Sequence, residues 1–134
     1  MRDDASKFEF QLARFGQALA ALQDAVDTDT GDKKSRDSIL LSFVFTFEMA
    51  WKVLKAQLIA RGASAPDYAT GTLKSAFTVG LLPDADLWMD LRDARNDVSH
   101  AYDLEKAVQI AALVRSRGLQ GFNALKVSLQ ADVG

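Results

Sequence analysis

Apolar residues recur in steps of three and four along nearly the whole chain, and that period allows helices and little else. From Lys7 to about Val26 the large apolar positions are Phe8, Leu12, Phe15, Leu19, Leu22 and Val26. They form one stripe on a helix about 35 Å long if it runs roughly 23 residues. Asp27-Thr28-Asp29-Thr30-Gly31-Asp32 ends it, because these side chains compete for the backbone's hydrogen bonds. A second helix is predicted from Ser35 to Arg61, with Gly62 as its stop and Ile39, Leu40, Phe43, Val44, Phe47, Trp51, Leu54 and Leu58 along it. Ile39 to Ala50 is apolar nearly all round, which predicts a central helix covered on more than one side. Phe43, Val44, Phe45 and Phe47 also suit a strand, but the length of the periodic segment favours helix.

The two prolines, Pro66 and Pro83, fall at breaks that other residues already mark. Ala63 to Ala69 reads as a loop, Thr70 to Val79 as a short helix stopped by Gly80, and Pro83-Asp84 as the start of a fourth helix reaching about Ser99. Leu87, Trp88, Leu91 and Val98 are its apolar positions. Asp103 is the expected N-cap of a last helix running to about Gln130 over Ala107, Ile110, Val114 and Leu125. Gly118 and Gly121 each cost that helix up to about 1 kcal/mol relative to Ala, so a kink or break is expected there. Long helices joined by short loops predict an all-α, up-and-down antiparallel bundle of four to five helices, one domain over residues 1–134.

Composition narrows the chemistry. With 49% hydrophobic residues in 134, the chain can bury a substantial core without metal or disulfide staples. The absence of cysteine removes thiol nucleophiles, thiolate metal ligands and disulfides, and a single histidine, His100, removes multi-histidine metal sites within one chain. No metal or cofactor is therefore expected. A net charge of −2 argues against wrapping duplex nucleic acid by bulk electrostatics. A charged start, Met1-Arg2-Asp3-Asp4, and the lack of a long apolar run lead us to expect a cytoplasmic protein with no membrane association.

One stretch departs from the bundle pattern. Between Asp90 and Asp103 lie Arg92, Arg95, Asn96, Ser99, His100 and Tyr102, at the end of a predicted helix. Arg92, Asn96 and His100 step by four and share a helix face. Arg95 and His100 lie about 140° apart on an ideal helix, so they meet in one cleft only by flanking it or if the helix loosens. Tyr102 points away unless the helix has ended, and an N-cap at Asp103 supplies that ending. An imidazole can take a proton from a hydroxyl and return one to a leaving oxygen, and a guanidinium can hold a phosphate at two points. Asn96 and Ser99 can donate or orient. This set suits metal-free RNA cleavage by the ribose 2′-hydroxyl, and a symmetric dimer would bring two histidines together. The same residues also fit a plainer account, a salt-bridged surface with a histidine at the negative end of a helix dipole. Spacing alone leaves both open.

Arg95-Asn96-Asp97-Val98-Ser99-His100-Ala101-Tyr102 resembles the R-x4-H-x-Y signature of HEPN-domain proteins. Phe47-Glu48-Met49-Ala50-Trp51-Lys52-Val53-Leu54-Lys55 resembles the F-E-x-x-W-K-x-L-K block of one branch, the nucleotidyltransferase substrate-binding protein family. Gly62, Pro66, Ala76-Phe77, Gly80-Leu81 and Trp88 follow in that branch's order, and the likeness runs from about Phe8 to about Phe122. It implies a helical homodimer whose R-x4-H segments line a shared cleft, paired with a minimal nucleotidyltransferase. In the toxin–antitoxin version, the resemblance implies a metal-independent ribonuclease that the nucleotidyltransferase silences by attaching AMP to the tyrosine. On that pattern Arg95 would hold the scissile phosphate, His100 would move the proton, Asn96 would support them and Tyr102 would accept AMP. RNA would be the substrate. The alternative the family carries is a non-catalytic subunit that presents substrate to its nucleotidyltransferase.

Further expectations concern individual side chains. Glu48 lies in an apolar run where a carboxylate is costly unless paired. It is expected either in an ion pair with Arg92, Arg95 or Lys52 or exposed at the edge of the stripe. Arg92 and Ser99 are expected to support the site. Lys52, Lys55 and Lys74 are candidate RNA contacts but suit solvated helix faces better. Trp51 and Trp88 are expected in packing rather than as stacking platforms, and Phe8, Phe15, Phe43 and Phe47 in the core.

Overall fold

A computed structural model describes residues 2–133. The helices are α1 (Arg2–Asp27), α2 (Lys33–Ala60), α3 (Ala69–Thr78), α4 (Ala85–Asp97), α5 (Leu104–Leu113) and α6 (Leu119–Ala131), with no strand among the described residues. A 3-10 turn, Val98–His100, extends α4, and a π turn, Val114–Gly118, joins α5 to α6 so that the last two read as one long helix. The all-α bundle expected from the periodicity is the fold observed.

Local chemistry sets the ends. Asp32 accepts from the Ser35 amide at 2.9 Å and opens α2 two residues earlier than Ser35 itself would. Helix α1 likewise starts before Lys7, at Arg2. Gly62 (φ +82°) stops α2 in the left-handed conformation a side chain resists. Asp84 caps α4 through the Leu87 amide at 3.2 Å, and Asp103 caps α5 through the Glu105 amide at 3.0 Å, as the sequence predicts.

Where a kink or break is expected at Gly118 and Gly121, the helix continues through a π turn that ends at Gly118. Both glycines sit on the buried face of the long helix where α4 comes close. A Cβ at Gly121 would lie 2.7 Å from Leu87 Cδ2, and one at Gly118 would lie 3.5 Å from Leu91 Cδ2. Close contact with α4 favours glycine at Gly121 despite its helix cost, and the irregularity takes the form of one widened turn.

The core gathers on Phe122. Its ring centroid is 6.3 Å from that of Phe15 in α1, 6.2 Å from Phe43 in α2 and 5.6 Å from Trp88 in α4, edge-on or tilted in each case. Phe8, Phe15, Phe43, Phe47, Trp51 and Trp88 are buried as expected. One face of α2 is not covered: Leu41 is 61% and Phe45 58% exposed; Leu104 and Val108 of α5 are exposed too, and Leu41 and Leu104 line one groove. Helix α2 is thus covered on more than one side, as expected, and open on this one. The surface of 7335 Å² also exceeds the roughly 6,900 Å² expected for a compact chain of this mass.

Candidate active site

Helix α4 runs from its cap at Asp84 to Asp97 and presents Arg92 and Arg95 in its last two turns. Leu91 and Ala94 bury its inner face, which fixes its rotation and leaves the arginines at the boundary with α2 and α3. The 3-10 turn then tightens the chain to three residues per turn. Counted on ideal turns, His100 lies roughly 160° from Arg95 the shorter way round, against about 140° on an unbroken α-helix. On that count the two residues flank the end of α4.

Arg95 is half-buried and tied to α2: its Nε donates to Glu48 Oε1 at 3.1 Å. The other carboxylate oxygen of Glu48 accepts from the indole Nε1 of Trp51 at 3.0 Å. Of the partners foreseen for Glu48, the structure selects Arg95 and adds Trp51, which sequence reading assigned to packing alone. Trp51 does pack, being 9% exposed, but its polar edge also holds the carboxylate. The signal was present in the spacing, since Glu48 and Trp51 are three apart on one helix and meet on its surface. Among the described residues the terminal nitrogens of Arg95 make no hydrogen bond, so the forked end of the guanidinium is available to an anion.

Arg92 turns elsewhere. Its Nε and Nη2 both donate to Asp93 Oδ1, at 3.1 and 2.7 Å, and Nη1 reaches Thr70 Oγ1 at 3.4 Å. It buttresses α4 against α3 and is not brought to Glu48. Asn96 and Ser99 lie at the helix end, where the Ser99 hydroxyl donates to the Asn96 carbonyl at 3.1 Å and holds the 3-10 turn. The His100 and Tyr102 rings lie edge to face, 6.4 Å between centroids at 68°. Tyr102 is 88% exposed, beyond the helix end that the Asp103 cap creates. A groove of about 780 Å³ beside Tyr102 is walled by Leu40, Leu41, Val44 and Leu104, with Lys33 and Arg36 at its edge. Asp97 is occupied by Lys106 at 3.5 Å.

The arrangement offers an anchored guanidinium with its fork free, an accessible imidazole and an accessible phenol, next to uncovered apolar side chains. Such a set can bind a phosphodiester and exchange protons with it. No helix among the described residues is long and apolar enough to cross a membrane.

The family model described as "nucleotidyltransferase substrate binding protein like" matches residues 10–131. A Haemophilus influenzae protein named "Probable ribonuclease HepT" is 34% identical over 76 residues, 54% of this chain and 52% of that protein. The chain thus spans about half the length of the curated relative it matches. A crystal structure of a Thermus thermophilus protein matches with a TM-score of 0.72 at 28% identity, covering 89% of this chain and 98% of that one.

Proposed function

The chain belongs to the nucleotidyltransferase substrate binding protein like family, and on that premise we propose that it is a HEPN-type, metal-independent endoribonuclease acting as a homodimer. The observation that carries the reading is Arg95, held through Nε by Glu48 with its fork unoccupied, shortly before an exposed His100. The likeness to a protein named as a probable ribonuclease supports it. Arg95 binds the scissile phosphate at two oxygens and offsets the charge that grows as the 2′-oxygen attacks phosphorus. His100 takes the 2′-hydroxyl proton, and a protonated imidazole returns one to the departing 5′-oxygen. Asn96, Ser99 and Arg92 keep the turn and α4 in place.

With Arg95 and His100 on either side of the helix end, we infer that two copies complete the site. Arg95 of one protomer works with the imidazole of its partner, across the uncovered Leu41, Phe45, Leu104 and Val108 surface. Tyr102 is the control point. Its phenolic oxygen attacks the α-phosphorus of ATP held by a partner nucleotidyltransferase, pyrophosphate leaves, and the phenol's proton passes to a base of that partner. The attached AMP adds bulk and negative charge beside His100 and repels RNA. The pair would operate as a toxin and its antitoxin.

Incubating RNA with the purified protein in EDTA tests the reading. Cleavage is expected from the wild type, and a loss of at least about 100-fold from both Arg95→Ala and His100→Ala. Cleavage that persists in His100→Ala would overturn it. A second reading, a non-catalytic subunit that presents substrate to a nucleotidyltransferase, is favoured by the family's description. It predicts no cleavage and a stable complex with the partner.

A further inference from the structure

A pocket of about 420 Å³ between the start of α1 and the second half of α2 shares only Trp51 with the site described above. Phe10, Gln11 and Lys7 line it from α1, and Trp51, Lys52 and Lys55 from α2; Asp4 and Asp67 are the acids in its wall. Its size is that of small-ligand sites. Phe10 is 59% exposed, with the Arg14 guanidinium 5.7 Å from the centre of its ring, so a base can stack on its open side. The Lys52 ammonium stands 5.9 Å from the centre of the Trp51 ring. Lys55 is engaged by Asp67 at 2.6 Å, whereas Lys7 and Lys52 form no ion pair among the described residues. Gln11 Oε1 is withdrawn from solvent without a hydrogen-bond partner. Aromatic surface interleaved with lysines is the pattern that holds unpaired nucleic acid, bases on the rings and phosphates on the cations.

The pocket is also wired to Arg95. Trp51 forms part of its wall, and Trp51 and Arg95 share the carboxylate of Glu48 at 3.0 and 3.1 Å. We propose that this pocket receives an unpaired nucleotide of the RNA strand flanking the scissile phosphate, with its base against Phe10 and the edge of Trp51 and its phosphate at Lys7 and Lys52. The proposal rests on the ribonuclease reading for its substrate. It also accounts for how a chain of net charge −2 grips RNA, by a local patch and not by overall charge.

The test is fluorescence anisotropy of a labelled, unpaired octaribonucleotide on the full chain in a His100→Ala background, with circular dichroism to verify folding. Phe10→Ala and Lys52→Glu are each expected to raise Kd about tenfold, and Lys52→Glu to flatten its salt dependence. Lys34→Glu, the same charge change at the exposed start of α2, is expected to leave Kd within about twofold. Equal Kd in all these proteins would overturn the proposal, and so would AMP competing as strongly as the octamer, which would mark a small-ligand pocket instead. RNA bound with the predicted pattern yet left intact when His100 is restored would sink the ribonuclease reading while supporting the pocket.

Discussion

Arg95, Glu48 and Trp51 form a chain in which each residue limits the next. The carboxylate stops the guanidinium from folding back, and the indole stops the carboxylate from rotating. Arg95 and Glu48 are each about one-third exposed, so their ion pair contributes at most about 1 kcal/mol to stability. Its expected value lies in orientation. Glu48→Gln is predicted to lower RNA cleavage about tenfold while moving the urea-unfolding free energy by less than about 1 kcal/mol; unchanged cleavage rejects the positioning role. Asp132 belongs to a different cluster. Bonds from Arg61 at 2.6 Å and Gln57 at 3.1 Å hold its carboxyl below the usual 3.8. A lowered folded-state value means its stabilisation is full above the unfolded value and is lost as pH falls through 3.8 and below. The urea midpoint is predicted to drop across that window, and Asp132→Asn to drop less steeply from a lower neutral-pH value. At this scale the sequence marked Glu48 as a carboxylate in an apolar run, in need of a partner. It did not reveal that Glu48 takes Arg95 and not Arg92, since that choice depends on how α4 is rotated against α2 and α3.

Elements were legible wherever period and punctuation agreed. Asp103, Gly62 and Gly80 end or begin helices as read, because capping and positive φ are local matters that neighbouring residues settle. The turn after Asp97 was legible only as a condition: Arg95 and His100 share one cleft by flanking it or if the helix loosens. The turn is tighter, which leaves flanking as the arrangement. Phe122 escaped notice because Gly118 and Gly121 suggested a broken helix just before it. Those glycines record an approach of α4 that only three-dimensional packing discloses. The two positions therefore respond differently to alanine. Gly121→Ala forces Leu87 aside and is predicted to destabilise by about 1–3 kcal/mol. Gly118→Ala meets ordinary contacts and gains helix propensity, so it is predicted to be neutral or to stabilise by up to about 1 kcal/mol. Thermal midpoints of the two variants check the contrast, and equal losses would mean the α4 approach is not tight at Gly121.

At the scale of the molecule, the bundle leaves Leu41, Phe45, Leu104 and Val108 in water beside the groove at Tyr102. Isolated apolar residues on a surface need no explanation, but a contiguous group next to a proposed site does. Leu41→Asp removes nothing from the core, so it is predicted to yield a folded monomer by sedimentation that no longer cleaves RNA. A dimer that persists in this variant would locate the interface elsewhere. The fold was readable in advance because helix period and loop length dictate a bundle. Pairing was not, because it depends on which faces remain uncovered after folding. The most direct measurement is subunit mixing. Arg95→Ala and His100→Ala proteins, inactive alone, are exchanged in mild denaturant, refolded together and assayed on RNA in EDTA. A site shared between protomers restores activity to about a quarter of wild type, since half the dimers are mixed and each holds one intact arginine–histidine pair. A mixture as inactive as its parents would contradict the account.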